Sequence, residues 1–175
     1  VYQTADGKAG ADAVATIANA STGIFNIEAL ANATGTSATA SVALGAITQW
    51  AWATGGGNAT ALIDNDGTLF INYDANAVGT VNDAFAFATG TGINQSATAA
   101  GAGVANATLD NSGTLTIAAG AGATGVTFAS ATATVNTGIS QVASAAGEAN
   151  VALINSGTLN ITATADAVAG ATAVP

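Results

Sequence analysis

The feature that most constrains this chain is that it repeats itself. Asp-Asn-Asp-Gly-Thr-Leu-Phe-Ile at 64–71 returns as Asp-Asn-Ser-Gly-Thr-Leu-Thr-Ile at 110–117 and as Ile-Asn-Ser-Gly-Thr-Leu-Asn-Ile at 154–161, with Ser-Thr-Gly-Ile-Phe-Asn-Ile at 21–27 as a degenerate first copy. Their glycines, Gly23, Gly67, Gly113 and Gly157, stand 44, 46 and 44 residues apart. A second series lies between them, Val-Tyr-Gln at 1–3, Ile-Thr-Gln at 47–49, Ile-Asn-Gln at 93–95 and Ile-Ser-Gln at 139–141, and it sets Gln3, Gln49, Gln95 and Gln141 at intervals of 46. Self-similarity at a fixed period marks a solenoid, in which each unit buries its apolar face only against its neighbours.

Placing both series on one register gives an apolar column of Val1, Phe25, Ile47, Leu69, Ile93, Leu115, Ile139 and Leu159. Two residues on, Gln3, Ile27, Gln49, Ile71, Gln95, Ile117, Gln141 and Ile161 alternate Gln with Ile. Two further on the column is Ala throughout except for Tyr73. Residues two apart share a face of a strand, so these columns mark the inner face, while Asn94, Thr116 and Ser140 between them point outward. The pattern predicts an all-β fold, a right-handed parallel β-helix of about eight coils with ~22 residues per coil, paired into the 44–46-residue repeat. Residues 1–175 read as a single solenoid domain. On this scheme each Gln is two coils from the next, so it is expected to bond backbone groups of its own coil. Asn65, Asn111, Asn136 and Asn155, each two residues before a Gly, are expected to turn left-handed corners.

Half of the residues are hydrophobic, yet they are mostly Ala, so the layers of the fold must be thin. Charged residues make up only 6% and the net charge is -9, with Lys8 the sole basic side chain, which repels phosphate backbones and anionic lipid heads and excludes nucleic acid as a partner. No apolar run approaches the roughly eighteen residues of a spanning helix, so membrane insertion is not expected. Because it opens on Val1 and not on Met, the chain reads as a mature product or a part of something longer. Absence of Cys and His removes the common nucleophile–base pairs and imidazole or thiolate metal sites. The expectation is therefore no enzyme and no cofactor. A polysaccharide-cleaving site would need clustered acids with Lys or Arg, and an ice-binding face would need regular Thr-x-Thr rows.

Two groups of residues remain as candidates for a site. Asp64, Asn65, Asp66 and Gly67 resemble the start of a calcium loop, and Asp110 occupies the position of Asp64 two coils away (~9.6 Å), too far to share an ion; the remaining ligands are missing, so a turn-forming role is expected. Trp50, Trp52, Phe70 and Tyr73 fall on neighbouring coils and form a candidate patch for lateral fibre contact or for stacking on glycans.

The Asn-Ser-Gly-Thr-Leu-x-Ile units followed by Ala/Thr alternation resemble the passenger segments of bacterial autotransporter and haemagglutinin-type adhesins. The resemblance covers nearly the whole chain. It implies an extracellular protein of the bacterial surface or secreted matrix, working as a structural fibre subunit or as an adhesin segment of a longer polypeptide that binds glycans or host surfaces. The expected partner is the chain itself, stacked end to end with an axial repeat of about 38 Å from eight coils at ~4.8 Å.

Overall fold

The computed structural model describes residues 1–170, and these form a parallel β-solenoid of four turns with no helix among them. Each turn contributes three strands. The first turn holds β1 (Tyr2–Gly7), β2 (Ala13–Asn19) and β3 (Ile24–Gly35), and the second β4 (Ala38–Ala53), β5 (Ala59–Asn65) and β6 (Thr68–Gly79). The third holds β7 (Ala84–Ala99), β8 (Ala105–Asn111) and β9 (Thr114–Gly125), and the fourth β10 (Ala129–Ala145), β11 (Ala149–Asn155) and β12 (Thr158–Ala169). Three parallel sheets of four strands result, ordered β1-β4-β7-β10, β2-β5-β8-β11 and β3-β6-β9-β12.

The register fixes the size of a turn. Gln49 pairs with Gln3 and Gln95, Leu115 with Leu69 and Leu159, and Asn65 with Asn19 and Asn111. Hydrogen-bonded neighbours are thus a whole 44–46-residue repeat apart. The eight ~22-residue units of the sequence are half-turns, two to each turn, and they stack in two columns and not in one. Val1, Ile47, Ile93 and Ile139 line the first sheet, while Phe25, Leu69, Leu115 and Leu159 line the third. The alternation of Gln with Ile separates the same way: Gln belongs to the first sheet and Ile27, Ile71, Ile117 and Ile161 to the third.

Inward alternation makes two core lobes. One is aliphatic, built on Ile47, Ile63, Leu69, Ile71, Ile93, Leu109, Leu115 and Ile117, all shut off from solvent. The other consists wholly of alanines, such as Ala51, Ala61, Ala97 and Ala107, where the end of the first sheet closes on the second. Only a methyl fits between walls that close, so the Ala-rich composition follows from the cross-section. Within the long first-sheet strands the alternation slips once: Ala46 and Ile47 are both buried, as are Gly92 and Ile93. Two consecutive inward residues re-aim the strand, and in β10 an extra residue is accommodated between Val135 and Thr137.

The asparagines before each glycine do not turn left-handed corners. Positive φ among the described residues occurs at Ala9, Gly10, Gly55, Gly56 and Gly101, in the turns between the first and second sheets. Asn65 and Asn111 are buried and point inward, whereas Asn136 is exposed and bonds Thr89. Glycine is needed after the inward asparagines for another reason. A Cβ on Gly113 would run into the Gly67 carbonyl of the turn beneath and lie 2.6 Å from the Asp66 carbonyl carbon.

Tyr73 breaks the alanine column of the third sheet. Its ring is buried over Gly90, where an added Cβ would sit 2.6 Å from Cζ, so a Gly on the facing wall makes room for the one large side chain. The Tyr73 hydroxyl is buried without a hydrogen-bond partner among the described residues, and burial pushes its pKa above the usual 10.0. An unsatisfied buried hydroxyl costs about 1–3 kcal/mol, so Tyr73→Phe is expected to raise stability by about 1 kcal/mol near neutrality. A raised phenol pKa contributes stability that is present below the unfolded value of about 10 and lost as pH climbs toward the folded value. Tyr73→Phe therefore also removes this alkaline loss. Denaturant melts of both proteins across pH 7–11 check it; a variant less stable than wild type at every pH would show that the hydroxyl has a partner.

Candidate functional site

The most organised polar structure among the described residues is a pair of buried amide ladders. In the first, Gln49 Nε2 donates to Gln3 Oε1, Gln95 to Gln49 and Gln141 to Gln95, each at 2.9 Å. The second N–H of each amide reaches across to the second sheet, where Thr16 O, Leu62 O, Thr108 O and Ala152 O accept from Gln3, Gln49, Gln95 and Gln141 in turn. Each Gln thus bonds a backbone carbonyl of its own turn, as expected from sequence. Contrary to that expectation, one strand spacing and not two separates successive amides, so they also bond each other.

The other ladder, not anticipated from sequence, runs through the last residues of the second-sheet strands. Asn19 Nδ2 donates to Asn65 Oδ1 at 2.8 Å, Asn65 to Asn111 at 2.6 Å and Asn111 to Asn155 at 2.6 Å. The remaining N–H of each goes to the first carbonyl of the third-sheet strand one turn on: Thr68 O, Thr114 O and Thr158 O. The sequence signal was the recurrence of Asn two residues before Gly67, Gly113 and Gly157. The two ladders point oppositely, Gln amides donating toward the first turn and Asn amides toward the fourth.

Both ladders run out at the ends of the solenoid. At the fourth turn Gln141 Oε1 accepts no bond among the described residues, and Asn155 Nδ2 reaches only Gly157 O. At the first turn, among the described residues, Asn19 Oδ1 accepts no bond and Gln3 Nε2 donates only to Thr16 O. Apolar columns open there too: inward Ile161 is 47% and Leu153 48% exposed, against 0% for Ile117 and Leu109 one turn below.

The aromatic candidates separate. Trp50 and Trp52 alternate on the outer face of β4, 49% and 58% exposed, and Tyr2 packs edge-on against Trp50 with ring centroids 5.9 Å apart. Shallow hollows flank them, one lined by Thr4, Asp6, Trp52 and Thr54 and one by Trp50, Trp52, Ser96 and Thr98. Phe70 lies on the outer side of the third sheet and Tyr73 is inside the core, so neither joins this patch. A second aromatic contact, unremarked in the sequence, pairs Phe85 with Phe128 at 5.7 Å beside half-exposed Phe87. Its signal is Phe-Ala-Phe at 85–87, the same alternation as Trp-Ala-Trp at 50–52.

Asp64 and Asp110 are register partners on adjacent strands, closer than the two-coil spacing expected from sequence. Asp66 accepts from Ser112 Oγ at 2.6 Å, an outer side-chain link between stacked turns. Among the described residues no three potential ligands come together to hold a metal. Lys8 pairs with Asp6 at 3.3 Å on the exposed edge, a contact of little energetic weight.

The ladder predicts its own disruption. Gln95→Glu keeps an acceptor for Gln141 but sets a carboxylate oxygen against Gln49 Oε1 and Thr108 O, where the amide donated. An uncompensated buried charge costs about 3–5 kcal/mol. The pKa of the new carboxyl is thereby raised in the folded state, so stability is intact below the unfolded value of about 4.3 and falls as pH rises toward the folded one. Melts from pH 3 to 8 should show the smallest loss in acid, where the single O–H of the carboxyl replaces one of the two N–H donors, and a larger one toward neutrality; a pH-independent loss would mean that the ladder hydrogen bonds do not set the stability.

Comparison with protein-family models, with curated proteins and with solved structures finds no match for this chain, so any reading of function rests on the geometry above.

Proposed function

We propose that this chain is a structural subunit or segment of an extracellular bacterial fibre, a surface filament or biofilm matrix component, whose solenoid coils continue end to end. The observation that carries the reading is the state of the two end faces. Each presents the open edges of all three sheets and an unfinished pair of amide ladders, and the fourth turn also exposes its inward apolar columns. An uncovered sheet edge is a template for another strand, and a coil of the same cross-section pairs most of these groups at once. The chemistry available supports a non-enzymatic role, since there is neither Cys nor His and the carboxylates are dispersed. With four turns per subunit, and not eight coils, the axial repeat expected of such a fibre is about 19 Å at ~4.8 Å per strand. Electron microscopy of the concentrated protein with helical reconstruction checks this. A discrete monomer in sedimentation at high concentration, or a rise far from a multiple of the strand spacing, would rule the assembly out, and the length of the native chain on a denaturing gel separates stacked subunits from one continuous polypeptide.

A second reading, an adhesin segment that touches glycans, is favoured by one observation. Trp50 and Trp52 present flat apolar rings on the outer face beside Asp6, Thr54, Ser96 and Thr98, a platform of the kind that stacks on sugars. On that reading Trp52→Ala abolishes retention on immobilised polysaccharide and leaves filament formation unchanged; equal retention of variant and wild type would discard it.

A further inference from the structure

We propose that the two amide ladders, together with the parallel run of the strands, dictate how a second copy can dock, so that assembly is strictly head to tail in one register. The inference deepens the fibre reading and rests on it. Gln141 Oε1 and Asn155 Nδ2 at the fourth turn are one acceptor and one donor. Gln3 Nε2 and Asn19 Oδ1 at the first turn are their complements. Continuing the internal pattern of the solenoid sets Gln3 of the next copy over Gln141 and Asn19 of the next copy over Asn155. Gln3 then donates to Gln141 Oε1, as Gln49 does to Gln3 within the chain. Asn155 donates to Asn19 Oδ1 and to the Ile24 carbonyl of that copy, as Asn19 does to Asn65 and Thr68.

The same register seats Ile17 of the next copy on Leu153 and Ile27 on Ile161, because these positions are stacked inside the chain through Ile63, Leu109, Ile71 and Ile117. Like-to-like docking fails. Two fourth turns face to face would turn one copy over, so that its strands run antiparallel to those they meet and Gln141, Leu153, Asn155 and Ile161 cannot together keep the stacked partners they have inside the chain, and the same holds for two first turns. The allowed junction is heterologous and open, which makes a polar filament and not a closed dimer. It covers Ile139–Ala145 of β10 but leaves Ala129–Val135, which has no counterpart in the short β1. It also brings Asp12 of the next copy to Glu148 at an exposed turn, a repulsion that salt screens.

Two substitutions isolate the junction. Gln3→Glu keeps the oxygen that accepts from Gln49 and gives up, within the chain, only the edge bond to Thr16 O. Asn155→Asp keeps the oxygen that accepts from Asn111 and gives up only the bond to Gly157 O. Each replaces the junction-facing donor by a carboxylate oxygen aimed at an oxygen. Thr116→Glu, on the outer face of β9 and between the two end turns, is the control for added charge. Elongation from wild-type seeds, followed by light scattering at neutral pH, should be weakened about tenfold to a hundredfold for Gln3→Glu and for Asn155→Asp and unchanged for Thr116→Glu, with the monomer melting temperatures of all three near wild type. Added at trace level to wild type, Gln3→Glu should block growth at one filament end and Asn155→Asp at the other. Wild-type elongation with both end variants elongating equally well overturns the ladder inference and leaves the fibre reading standing. Failure of the wild type to elongate overturns both.

Discussion

A buried side-chain amide has two N–H groups and an oxygen to satisfy, and the architecture of this chain depends on how it does so. Leaving one such group unpaired costs about 1–3 kcal/mol, comparable to a large part of the stability of a domain. Gln49 and Gln95 meet the requirement with one bond along the axis and one across to the second sheet, and Asn65 and Asn111 do the same between the second and third sheets. Apolar columns cannot supply this discrimination. Along β7 the inward residues Ala84, Ala86 and Ala88 are interchangeable, so a slip of two residues would set Ala on Ala again and keep every methyl inside. The same slip would strand an amide beside methyl groups. One amide position in the first sheet and one in the second thus select a single register for a core that is otherwise degenerate.

Given that register, the cross-section explains the composition. The Gln ladder stands between the aliphatic lobe and the alanine lobe and ties the first sheet to the second where no bulky side chain fits. Where one bulky residue does enter, at Tyr73, the opposing wall gives up its side chain at Gly90. The compensation is steric only, since the phenol oxygen remains without a partner. Volume is conserved locally and polarity is not.

Much of this was legible in the sequence. The strand assignment, the inward columns and the parallel stacking follow from alternation combined with a fixed period. The size of the turn did not, because Ile-x-Gln-x-Ala at 93–97 and Leu-x-Ile-x-Ala at 115–119 look alike as strands, and linear spacing cannot tell segments that stack from segments that face each other across a core. The deciding clue was in the exceptions to the likeness. Gln never recurs at ~22 residues and always recurs at 46, and a buried amide needs a like partner beside it, so the stacking interval had to be the longer one. The Asn ladder was hidden for a related reason. Asn before Gly also fits a left-handed corner, and only the stacked carbonyls that crowd Gly67, Gly113 and Gly157 show that the glycine serves close approach.

The scarcity of charge follows from the same stacking. In a solenoid each outward residue has its counterpart in the next turn one strand spacing away, ~4.8 Å, so a charge repeated with the motif would face itself at every turn. At such a distance two unit charges repel by about 1 kcal/mol even in water, and the cost recurs with each turn. The acidic residues accordingly interrupt their columns: Asp6 is followed by Trp52 and Thr98, Glu28 by Asn72 and Ala118, and Asp74 by Gly120. Asp64 over Asp110 is the exception within the sheets, and the column ends there in Ala18 on one side and Ile154 on the other. Neutral polar residues face no such limit. Asn150 donates to Asn106 at 3.0 Å and Ser112 to Asp66 at 2.6 Å, so an Asn, Ser or Thr on the outer face gains a partner from repetition where a charge would gain an opponent. A surface built from Asn, Thr, Ser and Ala is therefore what stacking at this spacing requires, whatever the molecule touches.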